Sequence, residues 1–66
     1  MQIFVNDKTM EVEDGLTAAG LIERLGLADK RLAMEINLSI IPRSALAEHR
    51  LQPGDRIEIV HAIGGG

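Results

Sequence analysis

Three consecutive glycines, Gly64, Gly65 and Gly66, close the sequence, and they are the residues in it best suited to chemistry. At a glycine usage of about 7%, a terminal run of this kind arises by chance roughly three times in ten thousand chains. Without Cβ atoms such a segment adopts nearly any backbone conformation and can thread a channel too narrow for side chains. Counted from Ala62, five extended residues reach roughly 17 Å, enough to enter the active site of another protein while the folded body stays outside. The terminal carboxylate of Gly66, with a reference pKa of about 3.3–3.7, is ionised at neutral pH. A carboxylate is a poor acyl donor and needs activation, for which a mixed anhydride with AMP is the natural route. A sulfur nucleophile can then displace AMP and leave a thiocarboxylate or a thioester. The catalytic groups for these steps belong to a partner; no residue of this chain is assigned a catalytic role.

The remaining composition excludes more than it offers. There is no cysteine, so disulfides, thiol catalysis and thiolate metal sites are ruled out. His49 and His61 are the only histidines and stand too far apart for a helical metal pair, and no carboxylates form an acid/base constellation. A net charge of −3 argues against nucleic acid or an anionic membrane surface as partner. No segment approaches the roughly 20 apolar residues of a membrane span, and no basic, apolar leader opens the chain. With 66 residues the chain forms one domain, which buries only about 60% of the surface its unfolded form exposes. A substrate pocket would consume most of such a core. The expectation is a cytoplasmic carrier rather than an enzyme, binding no metal and no cofactor of its own.

The tail must be presented by a folded body, and the hydrophobic period describes that body. Met1 to Val5 alternates with Met1, Ile3 and Val5 on one side, and Thr9 to Glu13 alternates with Met10 and Val12 inward. Asn6-Asp7-Lys8 between them supplies turn residues, which predicts a β-hairpin. The period then becomes helical: Thr17 as N-cap, Ala18, Leu21, Ile22 and Leu25 along one face, Leu16 and Leu21 as a hydrophobic staple, and Gly26 as a left-handed stop. Gly20 inside this helix costs roughly 1 kcal/mol against alanine, and close packing of the helix on the sheet is the expected reason. Leu32 to Asn37 returns to strand alternation with Leu32, Met34 and Ile36 inward. Ile40-Ile41 forms a short strand before Pro42, Ser44 to His49 one helical turn, and Pro53-Gly54 a turn supported by Asp55. Arg56 to Ala62 is the last strand, with Ile57 and Ile59 inward. A hairpin, a helix crossing one sheet face and further strands give an α+β fold with a mixed sheet of four to five strands. Its first and last strands should be parallel neighbours at the centre, as in ubiquitin-like β-grasp folds, and Met1-Gln2-Ile3-Phe4-Val5 resembles the opening strand of ubiquitin. Residues 1–63 are expected to form the domain and residues 64–66 a flexible glycine tail.

A more specific resemblance runs from the middle of the chain to its end. Ile41-Pro42-Arg43-Ser44, Leu51, Gly54-Asp55-Arg56-Ile57-Glu58-Ile59-Val60 and Ala62-Ile63-Gly64-Gly65-Gly66 resemble the sulfur carrier proteins of thiamin biosynthesis, the ThiS family. The family pattern usually has glycine after the asparagine at Asn37; here Leu38-Ser39 follow. The resemblance implies a cycle in which an E1-like enzyme uses ATP to adenylate Gly66 and a sulfur-transfer enzyme, fed by a cysteine desulfurase relay, converts it to a thiocarboxylate. Thiazole synthase then takes the sulfur. The molybdopterin synthase small subunit also ends in Gly-Gly but is typically longer.

Strand parity turns Phe4, Val60 and Ala62 away from the core. Parallel central strands should bring Phe4 and Val60 together on the open sheet face, so Phe4, Val60, Ala62 and Ile63 are expected to form a docking patch beside the tail. Glu11, Glu13, Asp14 and Glu23 could complement a basic partner, although a solvated acidic face explains them as well. Three other functions fit the same residues: sulfur delivery to molybdopterin or another metabolite, a ubiquitin-like modifier joined to lysine through Gly66, or a β-grasp binding module with an inert tail. A covalent conjugate would single out the modifier, and indifference to blocking Gly66 the binding module.

Overall fold

The structure is a computed structural model and describes residues 1–61. Its elements are β1 (Gln2–Val5), β2 (Lys8–Glu11), α1 (Ala18–Arg24), β3 (Leu32–Ile36), β4 (Ser39–Ile41), a 3-10 turn (Arg43–Ala45) and β5 (Arg56–His61). The five strands form one mixed sheet in the order β2-β1-β5-β3-β4. The last strand is therefore the central one. It pairs parallel to β1, with Phe4 opposite Arg56 and Val5 opposite Ile57, and antiparallel to β3 from Leu32–His61 to Ile36–Ile57. This is the α+β, β-grasp arrangement that the alternation predicted.

Two-residue loops close both hairpins. Asn6 and Asp7 take φ of 49° and 68°, and Asn37 and Leu38 take 51° and 71°. Positive φ at both positions marks type I′ turns, whose twist matches that of the strands they join. Asparagine tolerates this conformation because its short amide bonds locally; leucine does not, and a left-handed leucine costs of order 1–2 kcal/mol.

Helix α1 sits across one sheet face, and both its ends are closed. The Thr17 hydroxyl accepts the Gly20 N–H at 3.0 Å, while the Ala18 and Ala19 N–H groups donate to the His49 and Leu46 carbonyls at 2.9 and 3.0 Å. The segment after β4 thus supplies acceptors that the first helical turn lacks. At the other end, Gly26, at φ 74°, donates to Glu23 and Leu27 donates to Ile22. These two bonds make a Schellman stop. Gly20 is explained differently from expectation. A Cβ there would lie 2.8 Å from Leu16 Cδ1 and 3.3 Å from Thr17 Oγ1. The crowding comes from the staple and the cap at the helix's own entry, not from the sheet.

The core lies between α1 and the covered sheet face. Ile3, Leu21, Met34, Leu51 and Ile57 are its largest fully enclosed side chains. Burying each contributes about 1.5–3 kcal/mol. Leu46 and Leu51, from the irregular segment between β4 and β5, seal its edge.

Candidate functional site

β5 leads to the glycine segment, and asparagine side chains hold it from both flanks. Its backbone pairs with β1 only through Ile57, because β1 turns away at Asn6. There the Asn6 Oδ1 accepts the Ile59 N–H at 2.8 Å, and its Nδ2 donates to the Ile59 carbonyl at 3.4 Å. The amide completes the pairing that the departing strand would otherwise leave unmade. On the other flank, where β3 turns away, the Asn37 Oδ1 accepts the Arg56 N–H and its Nδ2 donates to Asp55 Oδ1, both at 3.0 Å. Asp55 is buried, and its second oxygen accepts the Gln52 N–H at 2.8 Å. Asp55 thus supports the Pro53-Gly54 turn as expected, and also ties it to the β3–β4 turn.

The open sheet face carries the side chains that alternate away from the core. Val60 is opposite Ala33, and Glu58 is opposite Glu35. Glu35 in turn faces Ile40 across β3 and β4. Val60 is 57% and Ile40 70% exposed, and Leu38 at the hairpin tip reaches 90%. Phe4 is only half-exposed, and the Arg56 guanidinium lies over its ring at 5.1 Å from the centroid. This corrects one expectation. Phe4 and Val60 share the open face, but Phe4 is level with Arg56. Val60, four residues further along β5, is about 13 Å away at a strand rise near 3.3 Å. The two do not form one patch. Ala62, Ile63, Gly64, Gly65 and Gly66 lie outside the described residues.

The acidic residues near the N-terminus are locally engaged. Glu11 and Asp14 bracket the Met1 ammonium at 3.6 and 3.5 Å. Arg24 donates to Glu13, and that bond holds the Glu13 carboxyl below its usual range. Arg43 and Ser44 open the 3-10 turn, where Ala45 N–H bonds the Pro42 carbonyl at 2.8 Å. A groove of about 450 Å³ runs beside Val5, Met10, Leu25, Leu27 and Ile59, and Lys8 is its single ionisable lining residue. It offers no pair of groups for acid/base work. No helix among the described residues is long and apolar enough to cross a membrane.

Sequence reasoning missed Asn6 and Asn37 as strand clamps and Leu38 and Ile40 as exposed apolar residues of this face. The turn signal at Asn6 was legible. The cross-sheet bonds depend on register, which no local pattern carries.

The chain matches the model of the ThiS family over residues 1–66. It is 39% identical over 66 residues to the sulfur carrier protein ThiS of Escherichia coli, covering all of both chains. It is also 39% identical over 66 residues to a thiazole synthase of Magnetococcus marinus, of whose length the chain spans only 20%. Among solved structures, a thiamine biosynthesis protein (ThiS) from Geobacter metallireducens superposes with a TM-score of 0.86 at 28% identity, each chain fully covered. With its whole length matched in fold and in sequence, the chain belongs to the ThiS family.

Proposed function

We propose that this protein is the sulfur carrier of thiazole formation in thiamine biosynthesis, acting as a co-substrate of other enzymes rather than as an enzyme. The observation that carries this reading is the end-to-end correspondence with a sulfur carrier protein, across all 66 residues of both chains. The architecture supports it: the central strand is clamped on both flanks, and the glycine sequence follows two residues after it. In this reading residues 1–63 are the body that a partner grips, and residues 64–66 are the arm.

The chemistry falls on Gly66. An E1-like enzyme directs one carboxylate oxygen to the α-phosphorus of ATP, pyrophosphate leaves, and an acyl adenylate forms. The terminal sulfur of a persulfide on a transfer enzyme, charged by a cysteine desulfurase, displaces AMP to give an acyl disulfide. A second thiol then attacks the transfer enzyme's sulfur, forming a disulfide with it and releasing the thiocarboxylate. Thiazole synthase is the acceptor, in keeping with the match of this chain to about a fifth of the length of two proteins of that name. ATP is consumed by the partner and is not bound by the carrier. In this reading the cycle runs in the cytoplasm. Gly64 and Gly65 pass the partner's channel, and Phe4, Val60, Ala62 and Ile63 contribute to docking.

The test is intact mass. Incubated with the adenylating enzyme of its own host, ATP and a sulfur source, the protein should exchange one oxygen for sulfur at Gly66 and lose it again on hydrolysis. Modification of an internal residue instead would contradict the carrier reading.

A further inference from the structure

Three basic side chains meet at the end of the sheet where β5 leaves it. β3 begins at Leu32, paired with His61, and Val60 stands opposite Ala33. Arg31 directly precedes β3, and Arg43 follows β4 by two residues, at the start of the 3-10 turn. Together Arg31, Leu32, Ala33, Arg43, Val60 and His61 line a depression of about 300 Å³. Ordered backbone carries each basic residue. The β3–β5 ladder holds His61 and the residue after Arg31, and the Arg43 carbonyl accepts the Leu46 N–H at 3.3 Å.

The charge at this corner runs against that of the chain. Asp and Glu outnumber Lys and Arg by 10 to 7, yet no carboxylate is among the described residues that line the depression. Among the described residues the side chains of Arg31, Arg43 and His61 form no ion pair and donate no hydrogen bond within the protein. Lys30 adds a further positive charge from an adjoining recess of about 230 Å³, which shares Leu32 and Arg43. Like charges gathered in this way repel, and a bound anion relieves them. The donors and the walls define that anion. Each guanidinium presents a planar fork that pairs two oxygens at once, and the imidazole adds an N–H. Two forks and a third donor exceed what the two oxygens of a carboxylate can satisfy. They suit a phosphate group, with its three free oxygens and a charge of about −1.5 to −2 at neutral pH. The remaining walls, Leu32, Ala33 and Val60, are apolar and match the carbon part of a phosphate ester.

We propose that this depression binds a small phosphomonoester, with Arg31, Arg43 and His61 around the phosphate and Leu32, Ala33 and Val60 against the carbon skeleton. The site is independent of the chemistry at Gly66. It gives Arg43, in the segment Ile41-Pro42-Arg43-Ser44, a role that the carrier cycle leaves unassigned.

The experiment follows the backbone amides of the full chain by NMR during addition of phenyl phosphate, inorganic phosphate or sodium chloride at matched ionic strength. Phenyl phosphate should shift the amides of Leu32, Ala33, Arg43 and His61 saturably. It should bind about fivefold more tightly than inorganic phosphate, because its ring covers apolar wall. Arg31→Gln and Arg43→Gln should each weaken it about tenfold, and Arg43→Lys, which keeps the charge and loses the fork, about threefold. Both arginines are exposed, so the variants should melt with the parent. Arg50→Gln removes the same charge from outside the depression and should leave binding unchanged. Shifts that sodium chloride reproduces, or that never saturate, overturn the site, as does an Arg50→Gln effect equal to that of Arg43→Gln. Inorganic phosphate binding as tightly as phenyl phosphate would assign the pocket to the free ion and overturn the ester. A response to a polyglutamate peptide without one to either phosphate would assign it to an acidic protein segment, and equally overturns the proposal.

Discussion

Gly20 shows how a single residue can answer to its nearest neighbours rather than to the sheet beneath it. Alanine there should gain about 1 kcal/mol of helix propensity, yet its Cβ would lie 2.8 Å from Leu16 Cδ1. That methyl ends a flexible side chain and can rotate away, but the rotation loosens the staple over Leu21. Gly20→Ala alone should therefore change stability by less than about 0.5 kcal/mol, the two effects offsetting. In a Leu16→Ala background the same change should recover most of its 1 kcal/mol, leaving a coupling of roughly 0.5–1 kcal/mol. Urea denaturation of the four proteins in the cycle measures it, and strictly additive effects would show that Leu16 is not the obstacle. The glycine and the staple were both legible in sequence, and their conflict was not. It depends on a rotamer, and sequence spacing says which residues can meet but not how they fit. Phe4 teaches the same lesson. Parity correctly turned it outward, but only the parallel register put Arg56 over its ring.

At the scale of elements, the periodic segments were readable because burial on one side imposes a period of two on strands and 3.6 on helices. The hairpin, the helix with its Thr17 cap and Gly26 stop, and the inward sets of β3 and β5 follow from that alone. Leu46 and Leu51 join the core from an irregular segment with no hydrophobic period, so their burial could not be read from periodicity. Nor could sequence show that turn asparagines complete the flanks of β5, because those bonds span 53 and 19 residues of chain. The Asn6 clamp can be separated from the turn that holds it. Asn6→Gly keeps the left-handed loop and removes only the amide, so it should cost about 1 kcal/mol, the net worth of an ordinary hydrogen bond. Asn6→Ala loses the amide and also forces a β-carbon into the left-handed region, which should bring the total to about 2–3 kcal/mol. Hydrogen exchange at the Ile59 amide should quicken in both variants. Protection retained in Asn6→Gly would mean that β3 alone secures the end of β5.

For the molecule as a whole, the division of labour between body and arm makes a prediction that no rearrangement of the body can imitate. Glycine brings no side chain to a hydrophobic core, and the buried apolar set of the described residues runs from Ile3 to Ile59. Deleting Gly65 and Gly66 should leave the melting temperature within error of the parent. So should extending the chain by one bulky residue beyond Gly66. Both changes should nevertheless abolish ATP-dependent activation. Truncation withdraws the carboxylate by roughly 7 Å at about 3.3–3.6 Å per residue. Extension converts the reacting carboxylate into a peptide bond and brings a side chain into a channel that suits bare backbone. A misplacement of even 1 Å at a reacting centre can cost about a hundredfold in rate, so neither variant should retain measurable turnover. In a host deprived of its own carrier gene, the intact protein should restore growth without added thiazole, and neither variant should. Growth supported by the truncated form would show that the body, not Gly66, does the work. Relief of a molybdenum-cofactor defect without relief of the thiazole requirement would preserve the acyl chemistry and reassign its acceptor.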